Sequence, residues 1–246
     1  MKLTLEKDGR RYSFQTEKGI DISISMNPKG PRAWYVEPMR IEPVRTEQFL
    51  GSVAEGGAVN FRDVYFNPHG HGTHTENVGH IIDTDVPVVN SISSSHFFAK
   101  VVTLGLKNET GDWVVNEESL LGIDLNVEAL IIRTKPNDHS KIQRQYSGTN
   151  FPYLTIGAMQ RIVDAGVQHL LIDLPSVDRE EDGGALVAHH LFWNVPAEPN
   201  FQKTITELIY VPNEIADGIY LLNLQVSNFA NDAAPSRPML FDLEEE

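Results

Sequence analysis

The chain has 246 residues, 41% of them hydrophobic, enough to bury a sizeable core within one domain spanning 1–246. Its formal net charge of −14 at pH 7 excludes a general nucleic-acid binder, which needs a basic face to displace phosphate counterions. With no cysteine, disulfides, thiolate metal sites and a cysteine nucleophile are excluded as well.

Short strand-like runs separated by turns fill the first half. Residues 3–5 and 12–14 flank Asp8-Gly9, which reads as a hairpin tip. Residues 20–25 alternate with period two, as a half-buried strand does. Residues 27–46 carry Pro28, Pro31, Pro38 and Pro43 and read as an ordered loop arm. A strand over 59–66 then delivers the chain into a histidine-rich segment. Further strands are expected at 99–104 and 129–134, with a short helix start at 116–118, where acids suit the positive end of the helix dipole. Thr155 caps a helix whose apolar face is Ile156, Met159, Ile162 and Val163, and Gly166 stops it. Residues 167–174 form a continuous apolar run, the pattern of a buried strand. A helix at 185–193 and strands at 204–211 and 219–226 complete a strand-rich mixed α/β fold that no linker divides. No run approaches the roughly 20 apolar residues that cross a bilayer, and the first nine residues lack the apolar core of a signal peptide. The expected setting is the cytoplasm, with neither membrane nor nucleic acid as partner.

The segment 67–80 concentrates the chemistry. Of nine histidines in the chain it holds His69, His71, His74 and His80, together with Glu76. Imidazoles and a carboxylate on a glycine-rich segment make a metal site, and Gly70 and Gly72 free the backbone to converge the donors. His74 and Glu76 lie two apart and share a face in extended backbone. His80 lies four beyond Glu76 and approaches it if the chain turns helical.

Elsewhere, His189 and His190 sit side by side on a helix, about 100° apart, so one of the two can face a site. Glu207 stands among apolar neighbours and needs a partner if buried. Asp173 ends a buried strand, where α/β sheets place ligands, whereas the charged run 178–182 reads as a solvated face.

The run Gly70-His71-Gly72-Thr73-His74-Thr75-Glu76-Asn77-Val78-Gly79-His80 resembles the signature of the metal-dependent cyclase/kynurenine formamidase family, His-x-Gly-Thr-His-x-Asp-x-Pro-x-His. Asp21-Ile22-Ser23, Ile172-Asp173-Leu174-Pro175-Ser176, the histidine helix at 189, Glu207 before Leu208, and Pro235-Ser236-Arg237-Pro238 are similar in order. The resemblance implies a swivelling β/β/α-type fold, a homo-oligomer (dimer or tetramer), and metal-dependent hydrolysis of amide or related bonds. It implies His74 and Glu76 as metal ligands, His80 as the proton carrier, and His189 (or His190) with Glu207 as the later ligands. The chain departs from the signature at Gly70, which offers no donor where the first ligand belongs. Either His69 or His71 swings in, or one metal ion binds where relatives hold two, or metal binding is degraded.

The expected activity is hydrolysis of a small-molecule amide or formamide by metal-activated water, with His80 as general acid and base. Zinc suits the donor set first and manganese second. Trp34, Tyr35, Phe97 and Phe98 are candidates for an aromatic substrate wall. The alternatives are a hydrolase or dehydratase of another small cyclic or acyl compound, and a non-catalytic metal- or ligand-binding protein that lost its ligand at Gly70.

Overall fold

In the computed structural model, which describes residues 1–246, the long apolar runs become the middle of a nine-stranded sheet. From edge to edge its strands are Ala233–Pro235, His74–Glu76, Thr204–Glu207, His169–Ile172, Ala129–Lys135, His96–Gly105, Gly218–Asn223, Met239–Asp242 and Ile20–Asp21. The strands from Thr204–Glu207 to His96–Gly105 run parallel, and every outer pairing is antiparallel.

Both faces of this parallel centre are covered, which explains runs without polar alternation. Leu130, Ile132, Leu170 and Ile172 pack on one face against the helices Ile156–Asp164 and Val187–Trp193. Ala129, Ile131 and Leu171 pack on the other face against Ile22, Phe97, Leu222 and Leu240. Period two therefore sorts the residues between two apolar layers. Phe97 belongs to the second layer, 7% exposed and stacked 4.1 Å from the His169 ring, so it is core and not a substrate wall.

The first helix forms where local chemistry dictates. Thr155 Oγ1 accepts the Ala158 N–H at 3.2 Å, and Gly166 follows the last turn at φ 81°. The hairpin Lys2–Lys7 with Arg10–Gln15 also follows the pattern. The strand over 20–25 is shorter: Ile20–Asp21 joins the sheet and only a bridge at Ser23 continues it. Part of the proline arm, Arg40–Pro43, pairs with Arg62–Tyr65 as a two-stranded ribbon exposed on both faces. The helix start near 117 is a single 3₁₀ turn, Glu117–Leu120, capped by Asn116. A small sheet of Lys107–Glu109, Asp112–Val115 and Tyr153–Leu154 has no counterpart in the sequence reading, because such short strands carry too few periods to register. No helix is long and apolar enough to cross a membrane.

His169 gives this core a titratable weak point. Burial pushes its pKa down to about 4, while Thr204 Oγ1 holds its Nδ1 at 2.8 Å. The unfolded chain takes up the proton near 6.5 and the folded chain does not, so stability falls as pH drops from about 6.5 to about 4. The expected loss is on the order of 3 kcal/mol. His169→Gln should flatten that acid limb in urea unfolding at pH 4 to 7; an unchanged limb would assign it to other groups.

Candidate metal centre

The strand His74–Glu76 supplies the first donors, and its register sets their direction. His74 pairs with Glu207 on the neighbouring strand, so these side chains share one face. Glu76, two residues on, points the same way, while Thr75 faces the other side and bonds Thr206 Oγ1 at 2.8 Å. The Gly-Thr stretch before it holds the strand in place. Thr73 Oγ1 donates to the Leu208 carbonyl at 2.5 Å and accepts the Ile24 N–H at 2.7 Å. Gly72 takes φ 139°, a conformation that side chains resist.

His189 comes from the helix Val187–Trp193. Its Nε2 lies 3.2 Å from Glu76 Oε1 and 3.9 Å from Glu207 Oε1. His80 ends the 3₁₀ turn Val78–His80, with Nδ1 3.9 Å from Glu76 Oε2. His69 enters from the loop before the strand, with Nδ1 3.0 Å from Glu76 Oε2. His74, Glu76, His189 and Glu207 are buried, and His69 and His80 border them. The structure thus gathers His69, His74, Glu76, His80, His189 and Glu207 around one point.

Several expectations need correction. His71 cannot ligate, because its Nδ1 accepts the Asn67 N–H at 2.8 Å and its Nε2 donates to the Glu37 carbonyl at 2.7 Å. His190 joins none of the groups that could hold a metal, since its neighbour His189 occupies the inward face. A Cβ at Gly70 would sit 2.7 Å from Val36 Cγ2, so the backbone there is pressed against the arm and His69 stands in the site instead. Trp34 packs edge-on against Phe151 at 5.6 Å, in a cluster that includes Leu208, and Tyr35 is 67% exposed. Asp173 is consumed by Lys141 Nζ at 2.7 Å and by Thr134.

Two residues escaped the sequence reading. Asp178, read as part of a solvated face, is buried and accepts from Ala188 N, His189 N and His189 Nδ1 at 2.8, 3.0 and 2.6 Å. It caps the helix and aims the His189 ring. Asp232 lies 163 residues from His69 and contacts its Nε2 at 3.0 Å and His80 Nδ1 at 3.5 Å. A cleft of about 420 Å³ opens beside Asp232, bordered by Gly79, Asp83, Asp85, Pro87 and Asn231.

The donor set fits a divalent cation. Two buried atoms, His74 Nε2 and Glu207 Oε1, have no hydrogen-bond partner, and His74 Nε2 is 3.4 Å from Glu207 Oε2 without bonding geometry. A buried polar atom left unpaired costs about 1–3 kcal/mol, which a cation between them would remove. His74 Nδ1 is held by the Gly72 carbonyl at 3.0 Å, so Nε2 presents its lone pair inward. Without a cation, protons balance the carboxylates. Burial opposes protonation of His69 and His189, yet Asp232 and Glu76 raise the first to about 10, and Asp178 and Glu76 raise the second to about 10. Burial likewise opposes the charge on Glu76, but His80, His189 and His69 hold it well below the usual carboxylate range. Glu207 is pushed up, by burial first and by the Glu76 charge second.

A family model described as "Putative cyclase" matches residues 20–179. No curated protein matches the chain by sequence. Among solved structures, one titled "Potential Metal-Dependent Hydrolase With Cyclase Activity" aligns at 17% identity and TM-score 0.64, covering 92% of this chain and 98% of its own. A "predicted metal-dependent hydrolase" from Bacillus stearothermophilus aligns at 16% identity and TM-score 0.63, with coverage of 92% and 98%. Isatin hydrolase A from Labrenzia aggregata aligns at 12% identity and TM-score 0.63, with coverage of 92% and 94%. These likenesses establish the fold.

Metal binding must displace the His69 and His189 protons, so apparent affinity should rise with pH through neutrality toward about 10. Calorimetric titration of zinc in buffers of different ionisation enthalpy should report released protons. Those protons also stabilise the metal-free fold fully below 6.5, a contribution lost as pH rises toward about 10. Affinity independent of pH, with no proton release, would reject this account.

Proposed function

The chain belongs to the cyclase family, and on that premise we propose that it is a metal-dependent hydrolase of small-molecule amides, cyclic amides included. The observation that carries this reading is the pair of orphaned atoms, His74 Nε2 and Glu207 Oε1, inside a buried set of imidazoles and carboxylates. The likeness in fold to isatin hydrolases supports a cyclic amide beside the open-chain formamide that the sequence motif suggests.

His69, His74, Glu76, His189 and Glu207 would hold the ion, zinc first and manganese second. A bound divalent ion would lower the pKa of a water molecule and polarise a carbonyl. The chain's own residues do the rest. His80 is the most open imidazole of the cluster, its side chain 31% exposed against 20% for His69. Its Nδ1 faces Asp232, leaving Nε2 to accept a proton from water and return it to the leaving nitrogen. The cleft beside Asp232 is of a size that admits a small ligand. Trp34 stands near Leu208, which follows Glu207, and meets Phe151 in a T-shaped contact. A homo-oligomer belongs to the same proposal, supported by the exposure of Val64 and Tyr65 on the two-stranded ribbon and of Phe61 just before it.

The test is metal content by elemental analysis followed by hydrolysis assays on formamides, cyclic imides and lactones. The unaltered chain should carry zinc or manganese, and His74→Ala and Glu207→Ala should lose it. His80→Ala should keep the metal and lose about 10²- to 10⁴-fold in kcat. Turnover unaffected by His80→Ala would remove its proton-transfer role, and a chain that takes up no metal would favour a non-catalytic binding protein.

A further inference from the structure

Each inward imidazole of the centre has its far nitrogen anchored, and the anchors differ. For His74 the anchor is the Gly72 carbonyl, and for His189 it is the Asp178 carboxylate. In both cases Nδ1 is held and Nε2 faces the cluster. His69 is mounted in the opposite sense. Its Nδ1 faces Glu76 at 3.0 Å, and its Nε2 meets Asp232 Oδ2 at 3.0 Å.

Asp232 is itself tied to the site. The Asn77 N–H donates to the Asp232 carbonyl at 3.1 Å, and the Val88 N–H donates to the Asn231 carbonyl at 2.9 Å. The strand that follows, Ala233–Pro235, pairs with His74–Glu76, so the Asp232 backbone moves with the ligand strand. The loop carrying His69 joins no strand, and the ring is partly exposed, so the strand pairing does not fix its orientation. A hydrogen bond from Nε2–H to a fixed carboxylate removes that freedom and leaves the Nδ1 lone pair facing Glu76.

We propose that Asp232 is the positioning residue that makes His69 a metal ligand in place of the donor missing at Gly70. This rests on the metal-hydrolase reading. The sequence change at position 70 is then compensated from outside the motif, by a carboxylate late in the chain. Asp232 also lies 3.5 Å from His80 Nδ1, so one side chain orients a ligand and the proton carrier together.

The test is a double-mutant cycle on zinc affinity, measured by competition with a chromophoric chelator for the unaltered chain, Asp232→Asn, His69→Ala and the double variant. Asp232→Asn should weaken zinc binding about 10- to 100-fold, and should add no further loss on the His69→Ala background. Cobalt-loaded Asp232→Asn and His69→Ala should show the same change in visible ligand-field bands, which a general loss of stability would not produce. Asp232→Ser serves as a second variant should the amide pack poorly. An equal loss from Asp232→Asn with and without His69 would overturn the proposal, because Asp232 would then act on the metal directly. Unchanged affinity with a lowered kcat would overturn it in favour of a role confined to His80. Absence of zinc binding by the unaltered chain would instead sink the metal reading, which distinguishes the two failures.

Discussion

Two carboxylates buried side by side constrain everything around them. Glu76 and Glu207 lie on adjacent antiparallel strands, out of water, where an unbalanced negative charge is expensive. Positive charge has to be supplied locally, and in the metal-free chain His69 and His189 supply it, their protonation favoured by the surrounding carboxylates. The same arrangement suits a divalent ion, because each ring can exchange a proton for a ligand bond. A structural ion pair would leave no orphaned atoms. This centre leaves two, His74 Nε2 and Glu207 Oε1, which a cation between them would satisfy.

The fold makes that concentration of charge tolerable. The parallel strands bury both faces, so the sheet cannot shift register without moving an entire apolar layer. His74 and Glu207 are opposed by that register and Glu76 is carried along by the period of the strand. His189 arrives on a seven-residue helix too short to be firm on its own, and the Asp178 carboxylate closes its first turn while gripping the ring. Asp178, which holds the His189 ring, is therefore buried with it.

At Gly70 the motif lacks a side-chain donor, and a neighbouring imidazole stands beside the cluster. The backbone there lies against Val36 and Ala33, and it is the residue before it that turns inward. His71, by contrast, uses both ring nitrogens to fasten the loop to Glu37 and Asn67. Two histidines that look equivalent in the sequence serve opposite ends, one toward the centre and one toward the arm. The exposed ribbon that precedes them is the other unusual feature, since two strands alone bury little apolar surface.

What the sequence determined by itself was set by short-range physics. Apolar runs at 129–134 and 167–174, the Thr155 cap with the Gly166 stop, and the crowding of His74, Glu76 and His80 within seven residues all follow from local periodicity and spacing. What only the tertiary structure decided was which distant side chains meet. The choice of His69 over His71, the inward turn of His189 over His190, and the recruitment of Asp178 and Asp232 depend on strand order and loop packing. Asp178 looked solvated because its neighbours 179–182 are, and nothing local distinguishes a carboxylate that caps a helix ten residues away. Asp232 carries no signal at all, since a hydrogen bond across 163 residues is made by the fold and leaves no period in the chain.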